Sequence, residues 1–360
     1  MRIVTKIGSN VLTRSDGKLN VTRLSSIVDQ VAQLRSRGHE VILVSSGSVA
    51  GGRGEISARR KLDDVGQRQL FSAVGQVKLM NLYYDLFREY GISIGQILTM
   101  KESFATRREY LNQRACLEVM MENGVVPIIN ENDTISVTEL MFTDNDELSG
   151  LVASMADADL LVLLTNVDGI YDGSPFGPSA HVIERVEPGR SLDEYVSAVK
   201  STMGRGGMTS KCRVARMVAD EGIRVVIANG TTADILLNVV ESPEKTLHTE
   251  FLPSALPVGA IKKWIAHSGS FAKGSVTVNA NAAEAITGRG AVSLLMVGVT
   301  AVEGDFEEGD IIAVKAPDGS EIAIGRTAYS ARQARQIIGK HDVKPIVHYD
   351  YMVVSTNNDK

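Results

Sequence analysis

Apolar and polar positions follow two alternating patterns over the first 240 residues of the chain. Short runs that are apolar nearly throughout alternate with longer stretches in which apolar residues recur every three or four positions. The short runs predict buried strands, at 3–7, 40–44, 92–98, 125–129, 159–164 and 223–228. The longer stretches predict helices, at 20–38, 63–90, 108–123 and 144–156. This alternation indicates an α/β fold, a mainly parallel sheet sandwiched by helices.

The pattern changes after about residue 240. Residues 242–273 contain three prolines and the single tryptophan, Trp264, which is typical of a linker with an ordered connector. Beyond it the chain predicts short strands, at 275–278, 294–299, 311–315, 321–325, 343–347 and 351–354, and one helical stretch at 330–338. The sequence therefore predicts a first domain over 1–241, a connector over 242–273, and a small, mostly β C-terminal domain over 274–355.

Polar side chains collect where the predicted strands of the first domain end. They are Lys6 at the end of the first strand and Gly8 after it, Ser46 and Gly47 after the second, Asn130, Asn132 and Asp133 after the strand at 125–129, and Asp144, Asn145 and Asp146 where the next helix starts. Ligands of open α/β sheets bind at this carboxyl edge, so the side chains are expected to form a site. Each type also occurs in ordinary turns and helix caps, Asp144 above all, and the residues alone leave both interpretations open.

A second polar motif, Gly-Arg-Gly-Gly-Met-Thr-Ser-Lys, occupies positions 204–211 before another helical periodicity. Its glycines let the backbone approach a phosphate, and Lys211 adds a full positive charge at a helix N-terminus. A flexible loop before a capped helix is the alternative. The chain has neither a Walker A string nor G-x-G-x-x-G, so neither a P-loop NTPase nor a dinucleotide-binding oxidoreductase is supported.

Lys6, Lys211 and Asp146 have the chemistry of a phosphoryl-transfer site. Two lysines can neutralise charge on a transferring phosphoryl group from two sides, and a carboxylate can hold both lysines by ion pairing. The turn at Thr165 and Asn166, with Tyr171 behind it, can border a purine base or be a plain loop. The six histidines show no metal-ligand spacing.

Composition narrows the class of protein. The net charge of −5 does not indicate nucleic acid or an anionic membrane as the main partner. The two cysteines, Cys116 and Cys212, form no disulfide framework, and no apolar run approaches the ~20 residues of a membrane span. These features predict a cytoplasmic globular protein.

With these motifs in view, the chain resembles the amino acid kinase family, and within it the members that phosphorylate glutamate. The resemblance rests on Lys-Ile-Gly-Ser at 6–9, Ser-Ser-Gly-Ser-Val-Ala at 45–50, Asn-Glu-Asn-Asp at 130–133, Asp-Asn-Asp at 144–146 and Gly-Gly-Met-Thr-Ser-Lys at 206–211. Lys-Lys-Trp-Ile at 262–265 resembles the connector of that family, and the C-terminal segment resembles a PUA domain.

The resemblance implies transfer of phosphate from ATP, with Mg²⁺ arriving largely on the nucleotide, to the γ-carboxylate of L-glutamate. It assigns catalysis to Lys6 and Lys211 with Asp146 as their organiser. It assigns the substrate to Ser46, Asp133 and Asn145, with Asn130 and Asp144 close by. It assigns ATP to Lys6, Thr165, Asn166, Arg205, Gly206, Gly207, Met208, Thr209, Ser210 and Lys211. Feedback inhibition by proline and a homo-oligomer, dimer or tetramer, are also implied. The chain departs from the family at Asn166, commonly Asp, and at Arg205, often Thr.

Two other functions remain as hypotheses at this point. A uridylate or carbamate kinase of the same family would share the lysines but would have neither the long connector nor the C-terminal β domain. An RNA-binding or RNA-modifying protein would be led by the PUA-like segment. Residues 269–360, however, hold 9 lysines and arginines against 11 aspartates and glutamates, which argues against RNA.

Overall fold

The structure, a computed structural model, describes residues 1–104, 106–136, 144–173, 180–190, 192, 207–255, 260–267, 272–288 and 290–355. The chain divides into two compact units. One comprises Met1–Met100 and Arg114–Pro257, and the other comprises Lys101–Gln113 and Val258–Lys360. The second unit thus includes a segment from the middle of the predicted first domain, a grouping that the hydrophobic pattern did not indicate.

The helices and strands agree with the predicted alternation. The helices are α1 (Ser9–Leu12), α2 (Val21–Ser36), α3 (Ser48–Arg53), α4 (Asp64–Arg88), α5 (Arg107–Glu122), α6 (Asn145–Met155), α7 (Met208–Asp220), α8 (Ile235–Glu241), α9 (Ala260–His267), α10 (Ala280–Thr287) and α11 (Ala331–Gln336). The strands of the first unit are β1 (Arg2–Ile7), β2 (Glu40–Ser45), β3 (Ile94–Thr99), β4 (Val126–Glu131), β5 (Leu160–Thr165), β6 (Arg185–Val186), β7 (Arg224–Asn229) and β8 (His248–Phe251).

The eight strands form one sheet in the order β3-β4-β2-β1-β5-β7-β8-β6. Neighbouring strands are parallel except β7 and β8, which are antiparallel. The predicted mainly parallel sheet is therefore confirmed. β8 lies inside the segment predicted as a connector, so part of 242–273 belongs to this sheet.

Both faces of the central part of this sheet are covered, which explains why β1, β2, β4, β5 and β7 are buried nearly throughout. Ile3 and Ile7 of β1 pack in a core cluster with residues of α2, α4 and α8. The intervening Val4 is also fully buried, and α6 contacts β1, β2 and β5. Alternate residues of one strand thus enter two different helical layers.

The turn after β2 differs from its prediction as a small-residue loop. It contains the helix α3, whose N-cap Gly47 has a left-handed backbone with φ of 109°. α3 packs closely on α4, because a methyl group at Gly52 would overlap the carbonyl of Phe71 and one at Gly75 would overlap the carbonyl of Ser48. Small residues here serve close helix packing rather than a flexible turn.

The second unit has a five-stranded sheet in the order β10-β9-β11-β12-β13. Its strands are β9 (Gly274–Val278), β10 (Val299–Gly304), β11 (Ile311–Lys315), β12 (Glu321–Thr327) and β13 (Val347–Val354). The predicted strand at 294–299 is wrong, because 296–298 form a 3₁₀ turn and the strand begins at Val299. The two strands predicted at 343–347 and 351–354 are replaced by the single β13.

Among the residues that the structure describes, every helix is too short or too polar to cross a bilayer.

Candidate active site

A cavity of about 760 Å³ opens in the first unit, where β1, β2, β4 and β5 end. Parallel pairing brings these ends together, with Lys6 of β1 opposite Val44 of β2 and Leu163 of β5. The predicted site residues that line the cavity are Lys6, Ser46, Asn130, Asp133, Asp144, Asn145, Thr165 and Lys211, and Arg68 lines it as well. The cavity lining therefore includes both predicted catalytic lysines and all five residues predicted to hold the substrate.

One wall of this cavity carries the residues that we call the lysine cluster, Lys6, Asp146 and Lys211. The Asp146 carboxylate lies between the two ammonium groups, with Oδ1 2.6 Å from Lys6 Nζ and Oδ2 2.8 Å from Lys211 Nζ. Asp146 is fully buried, and the lysines are 5 % and 7 % exposed. Burial alone would raise the pKa of Asp146, but the two ammonium groups outweigh it and hold that pKa below its usual value.

Three elements position the lysine cluster. Lys6 lies near the end of β1, Asp146 is in the first turn of α6, and Lys211 is in the first turn of α7. Both helices begin at this edge of the sheet, so their N-terminal partial charges add to those of the lysines. The cluster carries one net positive charge in a buried setting, where it attracts an anion strongly.

Asp144 caps α6 beside the lysine cluster. Its Oδ1 accepts hydrogen bonds from the backbone N–H groups of Asp146 at 2.9 Å and Glu147 at 3.1 Å. Burial raises the pKa of Asp144, and the neighbouring charge of Asp146 adds to the rise, against the Ser210 hydroxyl and Lys6, which lower it. The N-cap role that the sequence left open is therefore present, in a residue that also lines the cavity.

A series of hydrogen-bonded side chains connects the turn after β2 with the end of β4. The Asn145 Nδ2 group donates to Ser46 Oγ at 2.9 Å and to Asn130 Oδ1 at 3.0 Å. Asn130 in turn donates to Gln76 Oε1 at 3.0 Å. These bonds bring together three of the residues predicted to hold the substrate and add Gln76, which the sequence analysis did not single out.

Another part of the cavity lining, a second wall, carries the residues that we call the arginine cluster, Arg68, Glu131 and Asp133. Arg68 Nε donates to Asp133 Oδ1 at 2.7 Å, and Arg68 Nη2 donates to Glu131 Oε2 at 3.0 Å. Ser48 Oγ donates to the other Asp133 oxygen at 3.1 Å. The sequence predicted Asp133 as a substrate residue but missed Arg68.

The predicted nucleotide residues lie at the ends of β5 and α7. Thr165 ends β5, Gly207 is the N-cap of α7, and 208–211 form the first turn of that helix. Asn166 is exposed. Arg205 and Gly206 lie outside the described residues.

A network of side chains stands beside this turn. Asn229 Nδ2 and Tyr171 Oη each donate to Asp168, at 2.9 Å in both cases. The bond between Asn229 and Asp168 therefore connects the end of β7 to the loop after β5, and Tyr171 donates to the same carboxylate.

The backbone at Gly8 fits an anion beside Lys6. A methyl group there would lie 3.0 Å from the Leu164 carbonyl oxygen and 3.7 Å from Lys6 Nζ, so glycine keeps the space next to the ammonium open. Two buried lysines, this turn and two helix N-termini suit the phosphates of a nucleotide. Within the described ranges, no group of three His, Cys, Asp or Glu side chains is placed to hold a metal ion.

Fold and site together define a phosphate-handling enzyme on a mainly parallel α/β sheet. The family model "Amino acid kinase family" matches residues 1–229, and the model "PUA domain" matches residues 274–349. The chain therefore belongs to the amino acid kinase family and is a kinase, with a PUA domain at its C-terminal end. The predicted fold class and family are confirmed.

Three curated relatives are similar to this chain over nearly its whole length, and each is named glutamate 5-kinase. The protein of Bacteroides thetaiotaomicron is 56 % identical over 353 residues, which cover 98 % of each chain. That of Chlorobaculum tepidum is 44 % identical over 353 residues, with 98 % of this chain and 96 % of the relative covered. That of Deinococcus radiodurans is 38 % identical over 365 residues, with 100 % and 99 % covered.

Proposed function

We propose that the protein transfers the γ-phosphoryl group of ATP to the γ-carboxylate of L-glutamate. The products are ADP and L-glutamyl 5-phosphate, and the reaction is the first step of proline biosynthesis. The full-length similarity to three glutamate 5-kinases supports the substrate. The observation that carries the chemistry is the pairing of one buried carboxylate, that of Asp146, with two buried lysines at the edge of the sheet.

The lysine cluster would act on the transferring group. A γ-carboxylate is ionised at neutral pH, so it attacks phosphorus without a general base. The new bond joins its oxygen to phosphorus, and the bond to the bridging oxygen of ADP breaks. Lys6 and Lys211 would neutralise the oxygens of the moving phosphoryl group, and Asp146 would keep both ammonium groups in position. Mg²⁺ bound to the nucleotide would supply further charge neutralisation.

The remaining cavity residues would hold glutamate. Asp133 has the charge to pair with its ammonium group, and Ser46 and Asn145 offer hydrogen bonds to its carboxylates. Asn130 and Asp144 lie next to these residues and would position them. A substrate held between the two clusters has its γ-carboxylate on the lysine side of the cavity.

The nucleotide would lie over β5 and α7, held by Thr165, Asn166 and residues 205–211. Feedback inhibition by proline and assembly into a homo-oligomer remain predictions from the family resemblance. The net acidic charge of residues 269–360 supports a regulatory or architectural role for the PUA domain rather than RNA binding.

The test is the release of ADP from ATP and Mg²⁺ with and without L-glutamate, with hydroxylamine trapping the acyl phosphate. We expect glutamate-dependent turnover that falls by at least ~100-fold, roughly 2.7 kcal/mol, in Lys211→Ala and in Asp146→Ala. Lys78→Ala is the matched control, because Lys78 pairs with Glu55 outside the cavity lining. Far-UV circular dichroism checks that each variant is folded.

Two results would contradict the proposal in different ways. Turnover with another acid or phosphate acceptor, but none with glutamate, would keep the kinase and exclude the substrate. Glutamate turnover that neither substitution lowers would show that catalysis takes place away from the lysine cluster.

A further inference from the structure

The arginine cluster contains two buried carboxylates and one guanidinium group. Glu131 and Asp133 are 4 % and 8 % exposed, and both carboxylates bond to the one guanidinium group of Arg68. Ser136 Oγ donates to the second Glu131 oxygen at 2.8 Å. The three charged groups together leave one net negative charge at this wall of the cavity.

Arg68 offsets the repulsion between the two carboxylates. Two carboxylates that share a buried site repel each other, and a guanidinium group bonded to both reduces that repulsion. The guanidinium also sets their orientation, since Arg68 holds one Asp133 oxygen while Ser48 holds the other. Loss of Arg68 would thus change both the charge and the direction of the Asp133 carboxylate.

Arg68 comes from a helix that is fixed independently of the sheet edge. Further along α4, Leu79, Tyr83 and Phe87 are fully buried in the core cluster, and Gly75 sets its close approach to α3. The guanidinium therefore projects from a rigid element toward the residues that follow β4. Such an arrangement holds a charged group within a narrow range of positions.

We propose that Arg68 is the positioning residue for recognition of the substrate's ammonium group. It acts through Asp133, whose carboxylate it orients together with Ser48, so that the arginine cluster offers one net negative charge to one ammonium group. The inference rests on the proposed function, because it takes an α-amino dicarboxylate as the substrate. The site then selects amino dicarboxylates over dicarboxylates that lack the amine.

The experiment compares L-glutamate with glutarate, which differs only in lacking the amino group. KM and kcat are measured for L-glutamate, and glutarate is tested as a competitive inhibitor, in the wild type, Arg68→Gln and Arg68→Lys. Arg88→Gln is the matched control, because Arg88 is on the same helix with a side chain 62 % exposed and outside the cavity lining. Thermal unfolding of each variant monitors the fold.

We expect Arg68→Gln to raise KM for L-glutamate about 10- to 30-fold, with kcat and the glutarate inhibition constant each within about threefold of the wild type. Arg68→Lys should recover part of the loss, because one ammonium group keeps the charge but cannot bond both carboxylates in a fork. Arg88→Gln should match the wild type.

Each other outcome overturns the inference. Equal losses for glutamate and glutarate would mean that Arg68 only supports the cavity wall. A fall in kcat at unchanged KM would place Arg68 with the phosphoryl group, and values equal to those of Arg88→Gln would mean that it has no part in binding. A wild type that does not turn over glutamate would overturn the proposed function and this inference together, and that result is separate from the other three.

Discussion

The lysine cluster and the arginine cluster face one cavity with opposite compositions. In the first, one carboxylate lies between two ammonium groups, and in the second one guanidinium group lies between two carboxylates. The first carries one net positive charge and the second one net negative charge. A molecule with an anionic end and a cationic end therefore meets a complementary charge on each wall.

The two clusters also differ in how readily their members could be predicted from the sequence. Lys6 lies near the end of a strand, and Asp146 and Lys211 lie in the first turns of helices, where polar residues stand out against apolar strands. Arg68 lies inside a long predicted helix, where a polar residue is ordinary. The residues at the reacting end of a site can thus be predicted from strand ends. Its specificity can depend on residues of helices that lie far away in the sequence.

The largest expected effect tests whether the lysine cluster acts on the phosphoryl group alone. Lys6→Met should lower kcat by about 10³-fold, roughly 4 kcal/mol, because a full charge beside the transferring oxygens is lost. KM for glutamate should stay within about threefold, since the arginine cluster is unchanged. Steady-state kinetics at saturating ATP measure both constants.

Lys78→Met is the control for this substitution, as a lysine outside the cavity lining. A rise in the KM for glutamate larger than the fall in kcat would contradict the division of roles between the two clusters.

The next largest effect is expected from a substitution near the arginine cluster that replaces no charged residue. Gly75→Ala places a methyl group against the Ser48 carbonyl and forces α3 away from α4. Such overpacking costs about 1–3 kcal/mol, which lowers the unfolding midpoint by roughly 2–10 °C. Because α3 carries Ser48 and α4 carries Arg68, KM for glutamate should rise about tenfold while kcat changes less than threefold.

Thermal unfolding and steady-state kinetics measure the two effects of Gly75→Ala. Val77→Ala, at a position of the same helix that is 63 % exposed, should change neither. A fall in kcat with constant KM would mean that helix packing controls the lysine cluster instead.

Most of the fold could be predicted from the sequence because β1, β2, β4, β5 and β7 are buried along nearly their whole length. Such strands have a signal that depends on local composition alone. These five strands and the edge strand β3 were all predicted. The strand β8 was missed, since its residues alternate between buried and half-buried and it lies between Pro243 and Pro253. The helix α3 was missed because its glycines weaken any helical prediction.

The sequence predicted the candidate site only where polar residues lie at strand ends or helix starts. Ser48 and Glu131 lie within the motifs at 45–50 and 130–133, yet their contacts depend on where α3 and α4 lie relative to the end of β4. Arg68 had one weak signal, its place four residues before the buried Ser72, on the stripe of α4 that continues to Leu79 and Tyr83. A charged residue on an inward-facing stripe indicates a buried partner, but the sequence does not identify that partner.

The smallest effect asks whether Asp144 belongs to the charge balance of the lysine cluster. Asp144→Ala removes the N-cap of α6 and should lower the free energy of unfolding by about 1 kcal/mol relative to Asp144→Asn, which keeps a capping oxygen. Thermal unfolding of the wild type and both variants between pH 4 and pH 8 measures this difference.

The pH dependence has a definite sign. Burial and the charge of Asp146 raise the pKa of Asp144 above its unfolded value, so its contribution to stability is full below about pH 3.9 and is lost as pH rises through the folded pKa. Asp144→Asn should therefore gain stability relative to the wild type as pH rises from 4 to 8. If it loses stability instead, the ionised Asp144 is a second carboxylate that the two lysines need, and the lysine wall is neutral rather than positive.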